Sequence, residues 1–380
     1  MTHHLNFHQL LTLLQSSFGL RESEEALTIL IDVPTASLPD NPAWKDRRRI
    51  AADWFTIFQT NVHRLPFSAI HCCVYDNVGS NNNDLPETVV LVDTATRELP
   101  TAGKSHPVPL AEILSTSSIV IAITELSATA PLKVLARTFR FRGATLPGFS
   151  RKMVPALGLD YEKVNERVMQ IKERLDRAVG ATLDFRAEGT AYQLFCDLRF
   201  RDAHASGGII REPGTVANLP SGEAYIVPYE GEKPGEPSRT TGLLPVQFEK
   251  EVVVFAIEAN RATMVLTKGE ESDRQRLKLK NEPAYGNIAE LGIGVLDEWG
   301  VRAVGSTLLD EKIGLHVAFG RSEHFGGVTG PSSFHSPRNV VHVDWVYVPS
   351  VQPMVSSESV EFEYEDGTSE QVLYAGKIMI

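Results

Sequence analysis

The sequence lacks long apolar runs. Its longest ones, such as Ser118–Thr124 and Glu251–Ile257, are only as long as a strand. A helix that crosses a membrane needs roughly 18–20 consecutive apolar residues, so we expect no membrane partner. The first residues also have neither the basic start nor the apolar core of a secretory signal. These absences predict a cytoplasmic protein.

Cysteine is scarce, and positive charge is in deficit. The three cysteines, Cys72, Cys73 and Cys196, have neither the number nor the spacing of a disulfide framework or a paired-cysteine zinc site. Lysine and arginine number 37 against 48 acidic residues, which gives a net charge of −11. Because binding to phosphates requires basic stripes, this balance argues against a nucleic-acid partner. The dinucleotide fingerprint, the serine nucleophile elbow and the phosphate-binding loop are also missing.

The first half of the chain alternates short apolar runs with helix-like segments. Strand-like runs at Leu27–Val33 and Ala69–Tyr75 flank a predicted helix at Pro42–Gln59. This alternation is typical of an α/β domain with a mainly parallel sheet. The clearest helix is Tyr161–Val179, whose apolar residues recur every three or four positions, and Gly180 is expected to end it.

Beyond about residue 181, short β-rich runs alternate with turns that are rich in glycine and proline. We therefore predict two domains, an α/β domain over residues 1–190 and a β-rich α+β domain over residues 191–380. The polar segment Lys268–Asn281 reads as a mobile loop.

Residues of the kind that catalyse reactions or bind metals concentrate in the second half. His342 and Asp344 lie in the β-like run Asn339–Val348, where strand alternation places both on one face. Glu290 interrupts a run that is otherwise apolar or glycine, and burial of a lone carboxylate there would be costly. A structural His–Asp pair remains an alternative reading of the first motif.

Three further residues complete the candidate set. Glu311 precedes His316 by five positions, and Glu223 follows a turn at 218–222. Taken singly, the two glutamates are more typical of an exposed surface, and His316 is equally compatible with a ligand and with a hydrogen-bonded core histidine. Together, four carboxylates and two imidazoles suit two divalent ions that share bridging carboxylates.

Four ordered motifs resemble those of the aminopeptidase T (AmpS-like) metallopeptidases. They are Asn-Leu-Pro-Ser-Gly-Glu at 218–223, Glu-Leu-Gly-Ile-Gly at 290–294, Asp-Glu-Lys-Ile-Gly-x-His-x-Ala-x-Gly at 310–320 and His-x-Asp at 342–344. The resemblance covers the C-terminal half, and the first 140 residues only in layout. It implies a cytoplasmic homodimer that binds two Zn, Co or Mn ions in the C-terminal domain and releases N-terminal residues from short peptides.

Carried over position by position, the resemblance implies a set of six metal ligands: Glu223, Glu290, Glu311, His316, His342 and Asp344. It also implies that a carboxylate such as Glu223 or Glu290 transfers a proton. Family members carry a tyrosine seven residues after the histidine of the third motif, where this sequence has Glu323. Glu323 or His324 would then take over the role of the tyrosine.

Two other functions remain open from sequence. Ring-opening iron dioxygenases of the dihydroxypyridine type share this scaffold and use two histidines and one carboxylate for a single iron. In those relatives a histidine stands at the position of Glu290, so the glutamate favours the hydrolase. A non-catalytic relative that has kept the fold is the third reading, supported by the missing tyrosine.

Overall fold

The structure is a computed structural model that describes residues 4–92 and 107–380. The chain divides into two compact units, Met1–Asn165 with Gly208–Ser221, and Glu166–Gly207 with Gly222–Ile380. The division falls within a helix and gives the first unit a second segment. Within the described residues, none of the helices combines the length and apolar character of a membrane span.

Helices and strands alternate in the first part of the chain, and strands dominate the second. The α-helices are α1 (Phe7–Leu13), α2 (Pro42–Thr60), α3 (Leu110–Ser115), α4 (Thr129–Phe139), α5 (Val154–Leu157), α6 (Tyr161–Arg177), α7 (Glu270–Asn281) and α8 (Thr307–Asp310). The strands are β1 (Glu24–Val33), β2 (Phe67–Asp76), β3 (Thr88–Leu91), β4 (Pro107–Pro109), β5 (Ser117–Ile123), β6 (Arg142–Thr145), β7 (Ala178–Ala187), β8 (Thr190–Asp197), β9 (His204–Ser206), β10 (Val216–Asn218), β11 (Glu223–Ile226), β12 (Thr241–Phe248), β13 (Glu251–Glu258), β14 (Arg261–Val265), β15 (Ile288–Gly294), β16 (Leu315–Gly320), β17 (His342–Val346), β18 (Val355–Tyr364), β19 (Ser369–Tyr374) and β20 (Lys377–Ile378).

The first unit contains a seven-stranded sheet in the order β10-β6-β5-β1-β2-β3-β4. The central strand β1 pairs in parallel with both β2 and β5, and nearly all of its residues are buried. A strand that is buried on both faces is typical of a parallel sheet with a covering layer on each side. The antiparallel strands β3 and β4 extend one edge. The predicted mainly parallel sheet is confirmed.

The second unit contains two antiparallel sheets. One has five strands in the order β17-β16-β15-β11-β9, and the other has eight in the order β14-β13-β12-β8-β7-β18-β19-β20. The predicted β-rich second half is confirmed. The five-stranded sheet carries every metal-ligand candidate that the sequence placed in a strand.

The helix predicted at Tyr161–Val179 is wrong at its end. The helix stops at Arg177, and β7 begins with the next residue. Gly180 is therefore a strand residue, where a Cβ would lie only 2.7 Å from the ring of Phe195. The glycine is explained by this close packing of the ring and not by a helix cap.

The loop predicted at Lys268–Asn281 is also wrong, because residues from Glu270 onward form α7. The many charged residues of this segment made it resemble a loop in the sequence. In the structure they stabilise the helix through ion pairs three or four residues apart, such as those of Arg274 with Glu270 and Glu271. The cap comes from a distant strand. The carboxylate of Glu251 accepts hydrogen bonds from the backbone N–H of Glu271 (2.9 Å) and of Ser272 (2.8 Å).

Loss of this remote cap should destabilise the second unit. We expect Glu251→Ala to lower the free energy of unfolding by about 1 kcal/mol, the usual effect of losing a side chain that caps a helix. Hydrogen bonds from Ser272 hold the pKa of Glu251 below its ordinary value, so this contribution is present at neutral pH and lost as the pH falls through the lowered pKa.

Denaturant unfolding of the wild type, of Glu251→Ala and of the exposed Glu258→Ala, at the other end of the same strand, measures the effect. The gap between the wild type and Glu251→Ala should be clear at pH 7 and shrink below about pH 4. Equal losses in both variants would contradict the assignment of Glu251 as the cap.

Candidate metal centre

Five candidate ligands lie on one face of the five-stranded sheet. Glu223 begins β11, Glu290 lies in β15, His316 in β16, and His342 and Asp344 in β17. Because alternate residues of a strand point to the same face, the two-residue step from His342 to Asp344 brings both to it. Nε2 of His342 lies 3.4 Å from Oδ1 of Asp344, which agrees with the expected placement of both side chains on one face.

Small residues fill the positions between these side chains. Each of the five faces a glycine or an alanine on a neighbouring strand, in the pairs Glu223–Gly294, Gly292–His316, Glu290–Ala318, Ala318–Asp344 and Gly320–His342. The motifs Glu290-x-Gly-x-Gly and His316-x-Ala-x-Gly therefore have the same structural role. Each supplies one polar ligand and two small residues to the same face, so the ligands converge above a floor of minimal side chains.

Two local features of β15 aim these groups. The register against β16 shifts between Ile288 and Glu290, a bulge that re-aims the side chains that follow it. Gly292 makes room for the imidazole, because a Cβ there would lie 2.0 Å from His316 Nε2. Gly294 does the same for the backbone at Lys312, whose carbonyl carbon would lie 2.1 Å from a Cβ.

Glu290 stands between the two histidines. Its Oε1 lies 3.2 Å from Nε2 of His316, and its Oε2 lies 3.2 Å from Nε2 of His342. Two groups with metal-ligand geometry consequently share this carboxylate, Glu223–Glu290–His316 and Glu290–His342–Asp344.

Backbone carbonyls orient both imidazoles. Nδ1 of His316 donates to the carbonyl of Gly314 (3.2 Å), and Nδ1 of His342 donates to the carbonyl of Arg321 (2.7 Å). Because a carbonyl can only accept, Nδ1 of each ring carries a proton, and Nε2 is the ring nitrogen that faces Glu290. Metal-binding histidines are generally oriented in this way by a partner of the second ring nitrogen.

Lys312 is a residue that the sequence analysis did not single out. It is 3% exposed, and its ammonium donates hydrogen bonds to Glu223 Oε1 and Glu311 Oε1. Glu311 thus adjoins the site through Lys312 and belongs to neither ligand group. The position of Lys312 in the motif Asp-Glu-Lys gave no indication of burial, because a lysine next to two acidic residues ordinarily marks a surface.

The cluster of candidate ligands holds more negative than positive charge in buried surroundings, and this excess shifts the pKa values of its members. Burial opposes protonation of His316, but the carboxylates of Glu290 and Glu223 overcome it and raise the pKa of this histidine to about 9. Burial, with the nearby charges of Glu223 and Asp344, raises the pKa of Glu311 despite the neighbouring ammonium of Lys312. A field that attracts protons this strongly also attracts metal cations.

The residues present fit divalent metal ions. Oε2 of Glu223 is buried without a hydrogen-bond donor and lies 3.4 Å from Nε2 of His316. An uncompensated buried carboxylate oxygen is costly, and a cation held with Glu290 and His316 would satisfy it. Imidazole nitrogens and carboxylate oxygens together suit zinc, manganese and iron.

The two proposed substitutes for the family tyrosine lie in different surroundings. Glu323 is exposed and pairs with Arg321 at 2.6 Å. The ring of His324 lies beside the site, 5.4 Å from that of His342 between centroids. A tyrosine does reach the ligand face, but from a different strand, since Tyr225 follows Glu223 by two residues in β11. That two-residue step was the signal by which the sequence could have identified it.

The close approach at Gly292 gives a test. We expect Gly292→Ala to displace the imidazole of His316 and weaken zinc binding by on the order of 10- to 100-fold, the range seen when the support of a ligand is lost. Calorimetric titration with zinc measures the affinity. Gly158→Ala is the control, because a Cβ there makes only an ordinary contact of 3.5 Å. Unchanged affinity in Gly292→Ala would contradict a ligand role for His316.

No protein-family model matches this chain, and no curated protein matches it either. Two solved structures align with almost its full length. The 2,5-dihydroxypyridine dioxygenase of Pseudomonas putida KT2440 has 15% identity and a TM-score of 0.58, with 98% of this chain and 95% of that chain covered. Wild-type AmpT of Thermus thermophilus has 16% identity and a TM-score of 0.53, with 98% and 99% covered. At these identities the likeness establishes a shared fold.

Proposed function

We propose that this protein is a metal-dependent hydrolase, an aminopeptidase that releases N-terminal residues from short peptides at a site for two divalent ions. The observation that carries the proposal is the position of Glu290, whose two carboxylate oxygens face two different imidazoles at equal distances of 3.2 Å. A carboxylate so placed can bridge two ions, and the groups on either side supply separate ligands for each.

The alternative on the same fold is an oxygenase that holds one iron with two histidines and one carboxylate. The likeness in fold to the dioxygenase and to AmpT does not separate the two activities. The ligand inventory favours the hydrolase, because Glu223 and Asp344 add a carboxylate on either side of Glu290. A single iron held by the two histidines and Glu290 would leave the buried Oε2 of Glu223 without a cation.

Zn, Co or Mn ions held by Glu223, Glu290, His316, His342 and Asp344 would supply Lewis acidity and lower the pKa of water. The chain's own residues would contribute orientation and charge. The Nδ1 hydrogen bonds fix the two imidazoles, and the ammonium of Lys312 donates a hydrogen bond to Glu223. Glu311 has one oxygen engaged by Lys312, which leaves the other for a cation or for proton transfer at the reacting group.

Metal content tests the two-ion site directly. After exposure to zinc, cobalt or manganese and gel filtration, we expect about two ions per chain in the wild type by elemental analysis. His342→Ala removes a nitrogen ligand from one group only, so it should retain about one ion. One iron per chain after purification without added metal would contradict the proposal and favour the dioxygenase.

His335→Ala is the matched control for this substitution. His335 is an exposed histidine of the same unit, and its Nδ1 contacts the backbone carbonyl of Asn281 at 2.7 Å. It should bind metal like the wild type. An equal loss of metal in both variants would indicate general destabilisation and contradict the ligand assignment.

Turnover tests the hydrolase. The metal-loaded protein should release N-terminal residues from amino-acid amides and from di- and tripeptides, and a chelator should abolish this activity. Glu290→Gln preserves the shape of the side chain and removes the charge that bridges the two groups. We expect kcat/KM to fall by at least about 100-fold, which corresponds to roughly 3 kcal/mol of transition-state stabilisation.

Glu258→Gln, an exposed change in the same unit, should retain wild-type kcat/KM. If Glu290→Gln cleaved peptides as fast as the wild type, or if no peptide or amide were cleaved with any of the three metals, the peptidase proposal would be overturned.

A further inference from the structure

Aromatic rings border the metal-ligand face of the five-stranded sheet. His204, in β9, stacks on Tyr225, in β11, with centroids 5.2 Å apart and planes inclined by 26°. The ring of Phe325 contacts the same tyrosine edge to face at 4.9 Å. We call these three residues the aromatic wall. All three residues are half-buried.

The sheet register places the wall beside the ligands. Tyr225 shares the face of Glu223 and lies directly opposite Gly292, the glycine that accommodates the His316 imidazole. Gly292 is paired with Tyr225 on one side and with His316 on the other, so no side chain of β15 stands at the position between these two residues.

Phe325 extends the wall across the sheet. Its ring centroid is 4.9 Å from Tyr225 and only 5.5 Å from the ligand His342. The two strands that carry Tyr225 and His342 are separated by two others, β15 and β16. A ring that contacts both residues therefore lies over the ligand face, next to the place where a group bound at His342 would sit.

A polar network holds this ring in place. Glu230 accepts hydrogen bonds from the backbone N–H of Val328 (2.7 Å) and of Thr329 (3.1 Å), and from Asn287 Nδ2 (2.8 Å). Nε2 of His204 donates to the carbonyl of Phe325 itself at 2.8 Å. The ring is thus positioned in advance by its own backbone, which lowers the entropy cost of using it as a binding surface.

We propose that the aromatic wall binds the side chain of the substrate's N-terminal residue and selects large aromatic side chains, with Phe325 as the residue that determines specificity. This inference rests on the proposed aminopeptidase function. Aromatic rings favour aromatic partners through stacked and edge-to-face contacts beyond the area that they bury. A small side chain such as that of alanine would leave the rings without this contact.

The test compares L-phenylalanine amide with L-alanine amide on zinc-loaded protein. The wild type should prefer the phenylalanine amide in kcat/KM by at least about tenfold, within the range by which apolar pockets discriminate. Phe325→Ala should reduce that ratio by about tenfold, and Phe325→Leu, which keeps apolar bulk without the ring, should reduce it partly. The ratio is insensitive to a general loss of activity.

Phe200→Ala is the matched control, because Phe200 is an exposed phenylalanine of the same unit that contacts Tyr229 and not the wall. It should leave the ratio unchanged. A wild-type ratio near one would overturn the proposal, and so would a ratio that survives in Phe325→Ala with zinc content intact.

Binding without turnover separates this inference from the proposed function. Calorimetry should show that zinc-loaded protein binds L-phenylalanine at least about tenfold more tightly than L-alanine, and that Phe325→Ala removes most of the difference. Hydrolysis of both amides with equal efficiency and equal affinity for the two amino acids would refute the wall and leave the peptidase intact. Preferential binding of L-phenylalanine without hydrolysis of any amide would refute the peptidase and leave the wall.

Discussion

Three carboxylates, Glu223, Glu290 and Asp344, converge on a sheet face that is largely shielded from water, and Glu311 adjoins them. The mutual repulsion of these carboxylates is the constraint around which the site is organised. Glu223 and Glu290 are 5% and 4% exposed, and His316 is fully buried. Charges in such surroundings require compensation, because the low dielectric strengthens both repulsion and attraction. Lys312 supplies part of it by bonding to Glu223 and Glu311. The remaining excess of negative charge is the physical reason to expect cations here.

The way in which the sheet accommodates this charge explains its composition. Strand positions between the ligands are glycine or alanine, so the carboxylates and imidazoles can approach one another closely. Any larger side chain at Gly292 would occupy the space of the His316 ring. The apolar residues of the same strands, such as Leu291 and Val317, are buried on the opposite face. One strand can therefore serve both a core and a metal centre.

The likeness in fold to an aminopeptidase and to a dioxygenase places this scaffold among those that carry unrelated chemistries. The chemistry of such a scaffold depends on a few side chains. Here the distinguishing position is Glu290, which places two carboxylate oxygens between two imidazoles where a histidine would place one nitrogen. The proposed role of the aromatic wall is separate, because it concerns the substrate side chain that lies beside the ligands and not the metals that bind.

The fold class followed from the sequence, because strand–helix alternation and turn-rich β segments are local patterns. Elements that depend on contacts with distant segments could not be predicted from the sequence. The helix α7 is capped by Glu251 of another strand, and the helix α6 stops where β7 begins pairing with β8 and β18. Neither interaction leaves a signal within the segment itself.

The sequence by itself determined which residue types are available as ligands, and it placed His342 and Asp344 on one face through the two-residue period of a strand. Only the tertiary structure decided that Glu290 stands between the two histidines, that Lys312 is buried among the carboxylates, and that Phe325 reaches over the ligand face. These facts depend on strand order, on register and on a bulge at β15. Such properties arise from pairing between distant segments, which the local pattern of one segment does not encode.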